Sequence, residues 1–410
     1  MTLYRGYFVT GIMWLCITIF YCYQYILRLI PNLIMPELFA QFNIGAKEFG
    51  TFAGIYYIGY IVIHIPIGLL LDRFGAKLVL PLCIILTTLG LTPILYATSW
   101  EYVLVGRLFT GIGSSAAIVG ALQIFRIIFP NNFSRMLGIM VCFSLITVVY
   151  SNKPLSQILH LIGMREVIGI LTIIGIVLAV LMYFLLPRPI GSKYKIGVLT
   201  EIKSILYNYK LLLASILAGL MVGPLEGFAD AWSNAFIHTV YGVSAEAASA
   251  ISASILTGMC IGCIILPYVA DKYNMHYAVT IISGIGMMSG LGCLLLGSAN
   301  ELTLNIACLV LGFFCAYQVV IISKIATYMP DLSGATAAVA NMIIMAFGSI
   351  FHSLIGFTMD KLWDGKIQDG IKIYTSDAYI KGISVLPIAI IISIIGFIVI
   401  LIKDKKTQGN

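Results

Sequence analysis

Long apolar runs of about twenty residues recur from one end of this 410-residue chain to the other, separated by short polar breaks. A helix rises 1.5 Å per residue and needs roughly 20 residues to cross about 30 Å of hydrocarbon. Strands of a membrane barrel would instead alternate apolar and polar over about ten residues, and these runs do not alternate. The pattern predicts an all-α membrane protein with twelve transmembrane helices, at 8–39, 47–70, 77–98, 101–129, 136–160, 165–187, 211–240, 246–269, 276–298, 302–328, 334–360 and 383–402. The longest polar connection inside the chain, PRPIGSKYKIGVLTEIKSILYNYK, separates a six-helix half at 1–187 from another at 211–410, with a linker at 188–210.

Composition agrees with that pattern. Hydrophobic residues make up 60% of the chain and charged ones only 10%, against about 25% charged in soluble domains. The net charge of +7 is explained by where the basic residues fall. Arg5, Arg73, Lys77, Arg188, Lys193, Lys195, Lys203, Lys210, Lys272 and Lys403 sit on one side of the predicted spans, and fewer lie on the other. The excess of Lys and Arg inside places both termini in the cytoplasm of an inner (plasma) membrane. No basic stripe with interleaved aromatics lies outside the spans, so no nucleic-acid partner is expected. The bilayer is the expected surrounding, and we read the chain as a monomer. After Arg5 the apolar stretch is too long for a signal-peptide core and has no small-residue cleavage site, so it reads as a retained first helix. The nine Cys are scattered. Cys260 and Cys263 form a CxxC between Gly258 and Gly262 inside an apolar run, which reads as small-residue packing. No metal, cofactor, nucleotide loop, zinc signature or nucleophile motif is expected, and the chain does not read as an enzyme.

The two halves share a motif. GLLLDRFGAK (68–77) follows the second span and LPYVADKYNMH (266–276) follows the eighth, aligning Asp72-Arg73-Phe74 with Asp271-Lys272-Tyr273. Two halves with a common loop imply a pseudo-twofold axis along the membrane normal, with a site between them. GLLLDRFGAK resembles the signature loop of the major facilitator superfamily, roughly G-x-L-x-D-R-x-G-R-K, with Ala76 where the family often carries a basic residue. GRLFTGIG (106–113) resembles the family's arginine segment in the fourth helix, and NNFSRMLG the loop before the fifth. The resemblance implies that Asp72 and Arg73, and Asp271 in the second half, latch one half against the other. For Arg107 it implies a structural or coupling role, with snorkelling to the outer surface as the other reading. PLEGFADAWSNAFIHTVYGVS, AYQVVIISKIA and GATAAVANMIIMAFGSIFHSLIGFTMD in the second half resemble the phagosomal-transporter branch, which imports amino acids in bacteria living inside host cells.

Charges inside the spans each need a reason, because one near mid-bilayer costs roughly 2.5–3.5 kcal/mol even on lenient scales. Arg28 lies beyond the middle of the first span. Tyr21, Tyr25, Arg28 and Asn32 fall at i, i+4, i+7 and i+11 on one face, with Gln24 beside Arg28, a stripe suited to a water-filled cavity. Lys153 lies at similar depth in the fifth span. A guanidinium matches the two oxygens of a carboxylate, so Arg28, with Lys153, is a candidate anion site. A structural pair with Glu226 or Asp230 is the alternative. Glu226 and Asp230 lie one turn apart in the seventh span, followed by Trp232 and Asn234. Two carboxylates at that spacing in low dielectric repel, so one can hold a proton or an ammonium group. A wet channel mouth or a salt bridge is the other reading. Gly223-Pro224 just before them loosens the helix. Gln318 and Asn341 either contact substrate or bond neighbouring helices.

These readings converge on a secondary transporter importing a small carboxylate-bearing solute, an amino acid first, by proton-coupled alternating access. Its partners would be that solute and protons. An organic-anion or phosphate-ester exchanger is the alternative, with Arg28 and Lys153 holding a dianion. A non-transporting nutrient sensor is the alternative of another class, although the tail KDKKTQGN is short for one. The outer loop at 361–382, with Trp363, Tyr374 and Tyr379, is a candidate lid on length alone.

Overall fold

The computed structural model describes residues 7–129, 133–186, 203–296, 299–329, 332–368 and 371–408. Most of the 188–210 linker therefore lies outside the described residues. By packing, the chain forms two compact units, residues 1–34 with 55–195 and residues 35–54 with 196–410.

The first unit is built from α1 (Tyr7–Phe42), α2 (Ala46–Phe74), α3 (Ala76–Leu89), α4 (Thr92–Tyr96), α5 (Trp100–Ser114), α6 (Ala116–Ile128), α7 (Phe133–Ile162) and α8 (Met164–Leu185). The first two helices run on past residues 34 and 55 into the other unit. Lipid gives helices no hydrophobic drive to associate, so close backbone approach at small residues does much of the work. A Cβ on Gly111 would strike the Tyr56 carbonyl of α2, and one on Gly113 the Cys83 carbonyl of α3.

The second unit holds α9 (Tyr209–Leu220), a π-helical turn (Gly223–Ala229), α10 (Ser233–Tyr241), α11 (Ala245–Tyr273), α12 (His276–Leu295), α13 (Glu301–Cys315), α14 (Tyr317–Ala326), α15 (Ser333–Lys361), α16 (Ser376–Ile383) and α17 (Val385–Gln408). Polar residues just before the apolar runs start several of these helices. Asn208, Ser244, Asn300 and Thr375 each accept a backbone N–H of the first turn through the side chain, which satisfies a donor the helix itself leaves open. The tightest crossing is α11 on α13, where Gly258 faces the Leu309 carbonyl, Gly262 the Phe313 carbonyl and Gly312 the Ile255 carbonyl. Gly258 and Gly262 flank the CxxC, and Cys260 and Cys263 are half-buried on α11.

Nine helices among the described residues are long and apolar enough to cross a membrane, and two bent pairs raise this to eleven. The 29-residue α2 is the further helix at the second predicted span. Several spans expected to be continuous are interrupted. The fourth breaks at Ser115, the tenth at Ala316, and the seventh bends by 44° between Leu220 and Gly223. The loop at 361–382 carries a two-stranded antiparallel hairpin, β1 (Ile367–Gln368) and β2 (Ile371–Lys372).

The internal repeat is local as well as sequential. Asp72-Arg73-Phe74 and Asp271-Lys272-Tyr273 are the last three residues of two 29-residue helices. Each is followed by a residue at positive φ, Gly75 at 77° and Asn274 at 50°, the left-handed position that Gly and Asn tolerate and that stops a helix. In both, the cation lies over the next ring, Arg73 over Phe74 at 5.2 Å and Lys272 over Tyr273 at 5.5 Å.

The α11–α13 crossing should be the least forgiving place to add volume. Gly312→Ala should lower stability by about 1–3 kcal/mol, the usual range for overpacking, seen as a reduced thermal midpoint of the purified protein. Gly292→Ala, where a Cβ meets nothing within 4 Å, should leave it unchanged.

Candidate functional site

In the first unit the site begins with a backbone defect. Pro31 lies inside α1 and has no N–H, so the Leu27 carbonyl four residues earlier loses its helical donor. Arg107 of α5 takes its place, with Nη1 donating to the Leu27 carbonyl at 2.7 Å and Nη2 to the Arg28 carbonyl at 3.0 Å. Its guanidinium also lies 4.7 Å from the centre of the Tyr56 ring. Arg107 is buried and does not snorkel to a surface.

The side chain of Arg28 is buried too, only 8% exposed. Its guanidinium carbon is 5.2 Å from the ring centre of Tyr25 and 5.3 Å from that of Tyr57. A desolvated cation over an aromatic face gains about 2 kcal/mol, comparable to the cost of keeping it at membrane depth. Tyr21 packs on Tyr25 at 5.6 Å, Tyr56 on Tyr60 at 6.3 Å, and the Tyr56 hydroxyl donates to Gln24 Oε1 at 3.0 Å. Asn32 is buried one turn beyond Arg28. Of the predicted stripe, the structure thus gathers Tyr21, Gln24, Tyr25 and Arg28 into one cluster. Lys153 lies in α7, and its side chain is outside the described ones, as is that of Asp72.

Tyr56, Tyr57 and Tyr60 complete the cluster from α2, and sequence reasoning passed over them. In GIYYIGY they look like ordinary residues of an apolar span. The available signal was Tyr56 and Tyr60 at i, i+4 beside Gly59, a glycine whose missing Cβ admits the Leu108 carbonyl of α5.

In the second unit the acidic pair sits on the broken seventh span. Pro224 opens the π-helical turn Gly223–Ala229, and Glu226 and Asp230 are 1% and 3% exposed. The break frees carbonyls before it. Met221 and Val222 bond back three residues, to Ala218 and Gly219, so Leu217 loses its helical donor. The Ser393 hydroxyl donates to Leu217 and the Tyr317 hydroxyl to Ala218, both at 2.6 Å. Trp232 is fully buried, its ring edge-on to Phe49 at 5.0 Å. Gln318, next to Tyr317, is buried with no hydrogen-bond partner at Nε2, while Asn341 is half-buried in α15. Arg73 and Asp271 each stand at the exposed end of a helix in their own unit, and Asp271 pairs with His276 Nε2 at 2.9 Å.

A bundle of broken apolar helices in two units, with Asp72-Arg73-Phe74 ending α2 and the related Asp271-Lys272-Tyr273 ending α11, defines a polytopic helical membrane protein. The Major Facilitator Superfamily model matches residues 13–352, and the chain belongs to that family of transporters. Two solved structures share the fold. One is a bacterial homologue of the human lysosomal transporter Spinster, inward-facing and unoccupied, with TM-score 0.73, 15% identity and 96% of each chain covered. The other is the nucleoside transporter NupG, with TM-score 0.70, 14% identity, and 95% of this chain and 98% of that one covered. Among curated relatives, the 4-hydroxybenzoate transporter PcaK of Pseudomonas aeruginosa is 23% identical, over 80% of this chain and 81% of its own. The human facilitated glucose transporter member 12 is 25% identical over 32% of this chain, a match that spans only 22% of the relative's length.

The guanidinium of Arg107 and the missing N–H of Pro31 should be energetically coupled. Arg107→Lys, a point charge in place of a fork, should cost about 1–3 kcal/mol by leaving a buried carbonyl unpaired. Pro31→Ala returns a donor to Leu27 and should recover part of that loss, so a double-mutant cycle of thermal midpoints should show non-additivity.

Proposed function

We propose that the chain is a secondary active transporter in a bacterial inner membrane, with both termini cytoplasmic, that imports an amino acid by proton-coupled alternating access. The observation that carries this reading is Arg28, a guanidinium held inside the first unit against the rings of Tyr25 and Tyr57 while Arg107 grips its backbone. A guanidinium offers two parallel N–H donors that match the two oxygens of a carboxylate. Tyr21, Gln24 and Asn32 shape the surroundings, and Lys153 adds positive charge from the fifth span.

Glu226 and Asp230 take the proton, the substrate ammonium, or one each. Their burial on a helix already bent at Gly223-Pro224 supports a group that changes charge as the helix moves. Trp232, Gln318 and Asn341 serve as further substrate contacts. Asp72 and Arg73, with Asp271 in the repeat, act as the latch between halves, and Arg107 couples to them by holding α1.

A second reading has a specific observation behind it. Five tyrosines around Arg28 suit a planar ring as well as an amino-acid side chain, and one relative is a transporter of 4-hydroxybenzoate. An organic acid would use the same carboxylate contact, while the acidic pair favours a solute that also carries an ammonium group.

Uptake into proteoliposomes of labelled amino acids and of 4-hydroxybenzoate, with and without an inward proton gradient, separates these readings. Gradient-driven accumulation of an amino acid is expected. Arg28→Ala should raise KM by about 10- to 100-fold, the scale of a lost charged hydrogen bond of about 1.5–3 kcal/mol. Glu226→Gln should abolish accumulation yet keep solute exchange. Transport of 4-hydroxybenzoate alone would replace the first reading by the second.

A further inference from the structure

Residues 35–54 are the ends of α1 and α2 and the turn between them, yet they pack as part of the second unit while both helices continue into the first. The hold on this hairpin tip is built at its apex. The Ala46 N–H, at the start of α2, donates to the Tyr374 hydroxyl at 2.7 Å, and that hydroxyl donates to Asp360 Oδ1 at 2.9 Å. Lys372 Nζ, from β2 of the 361–382 loop, reaches the same carboxylate oxygen at 3.1 Å. All three side chains converge on Gly45. A Cβ there would lie 2.6 Å from Tyr374 Oη, 2.8 Å from Asp360 Oδ1 and 2.9 Å from Lys372 Nζ.

Below the apex the contact is backbone on backbone. Gly50 and Gly54 of α2 lie against the carbonyls of His352 and Ser349 in α15, and Gly356 of α15 against that of Ala46. Surfaces without side chains in the way can part and meet again without repacking. The apex is different, because its bonds are directional and few. Tyr374 is buried, and burial together with the Asp360 carboxylate pushes its phenol well above its ordinary pKa. The hydroxyl therefore stays protonated and keeps both bonds. The loop at 361–382 thus brings Lys372 and Tyr374 to the Asp360 carboxylate.

We propose that Tyr374, with Asp360 and Lys372, is a releasable latch that ties the start of α2 to the end of α15 in one state of the transport cycle and lets go in the other. The inference rests on the alternating-access reading above and is independent of which solute is carried. A hairpin tip that belongs by packing to one unit and by chain to the other must either flex near residues 34 and 55 or be released when the units move. The small set of polar bonds at Gly45 suits release, since water replaces each of them when the contact opens.

The test is a distance measurement by pulsed electron paramagnetic resonance. Spin labels go on Lys47→Cys and Gln368→Cys, two exposed positions flanking the apex, in the full chain with its nine native cysteines replaced. Two populations are expected, the shorter dominant, and the longer should grow at least threefold with Tyr374→Phe or with Gly45→Ala. A single unchanged distance in both variants would mean a permanent staple and overturn the latch. Amide exchange on the native-cysteine chain provides the second check. Faster exchange confined to residues 44–50 in Tyr374→Phe supports the latch, and an equal rise in α12 would mark a folding element and overturn it. If the populations shift while proteoliposomes take up no amino acid, the latch stands and the amino-acid reading falls.

Discussion

A peptide group inside hydrocarbon has no water to bond, so a break in a membrane helix needs new partners from local backbone adjustment or from neighbouring side chains. The fold is organised around those repairs. Pro31 frees the Leu27 carbonyl and Arg107 crosses from the fourth span to take it. The bend at Gly223-Pro224 frees Leu217, and Ser393 from the last helix takes it, while Tyr317 adds a bond to Ala218. Each repair ties a helix to a partner distant in sequence, and each of those two spans carries a candidate functional group, Arg28 in one unit and Glu226 with Asp230 in the other.

The two units answer the problem of buried charge differently. The first sets aromatic faces against its guanidinium groups, Tyr25 and Tyr57 beside Arg28 and Tyr56 beside Arg107, which stabilises a buried cation. The second buries Glu226 on a π-helical turn at a bend and Asp230 just after it.

Glycine does more than fill space in this family member. Gly258, Gly262 and Gly312 make a fixed crossing within the second unit, and Gly50, Gly54 and Gly356 make the seat of the hairpin tip. The same residue type thus serves a permanent contact and one suited to parting. What distinguishes the second is the polar apex at Gly45, where Tyr374, Asp360 and Lys372 add direction to an otherwise smooth surface.

Much was legible in the chain alone. Apolar run length requires helices that span a membrane, and the paired triplets Asp72-Arg73-Phe74 and Asp271-Lys272-Tyr273 each fall at a helix end, because local composition decides where a helix enters lipid and where it stops. Tyr21, Gln24, Tyr25 and Arg28 were also readable as one face, since helical spacing is a local property. Other features waited for the tertiary structure. Nothing near Arg107 in sequence says that its guanidinium serves Leu27, 80 residues away. Nothing in GIYYIGY says that its tyrosines face Arg28, and nothing in the 361–382 loop points to Ala46, 328 residues from Tyr374. Periodicity gives the direction a side chain takes from its own helix; which atom it meets depends on the rotation and packing of another helix, and only the assembled bundle supplies that.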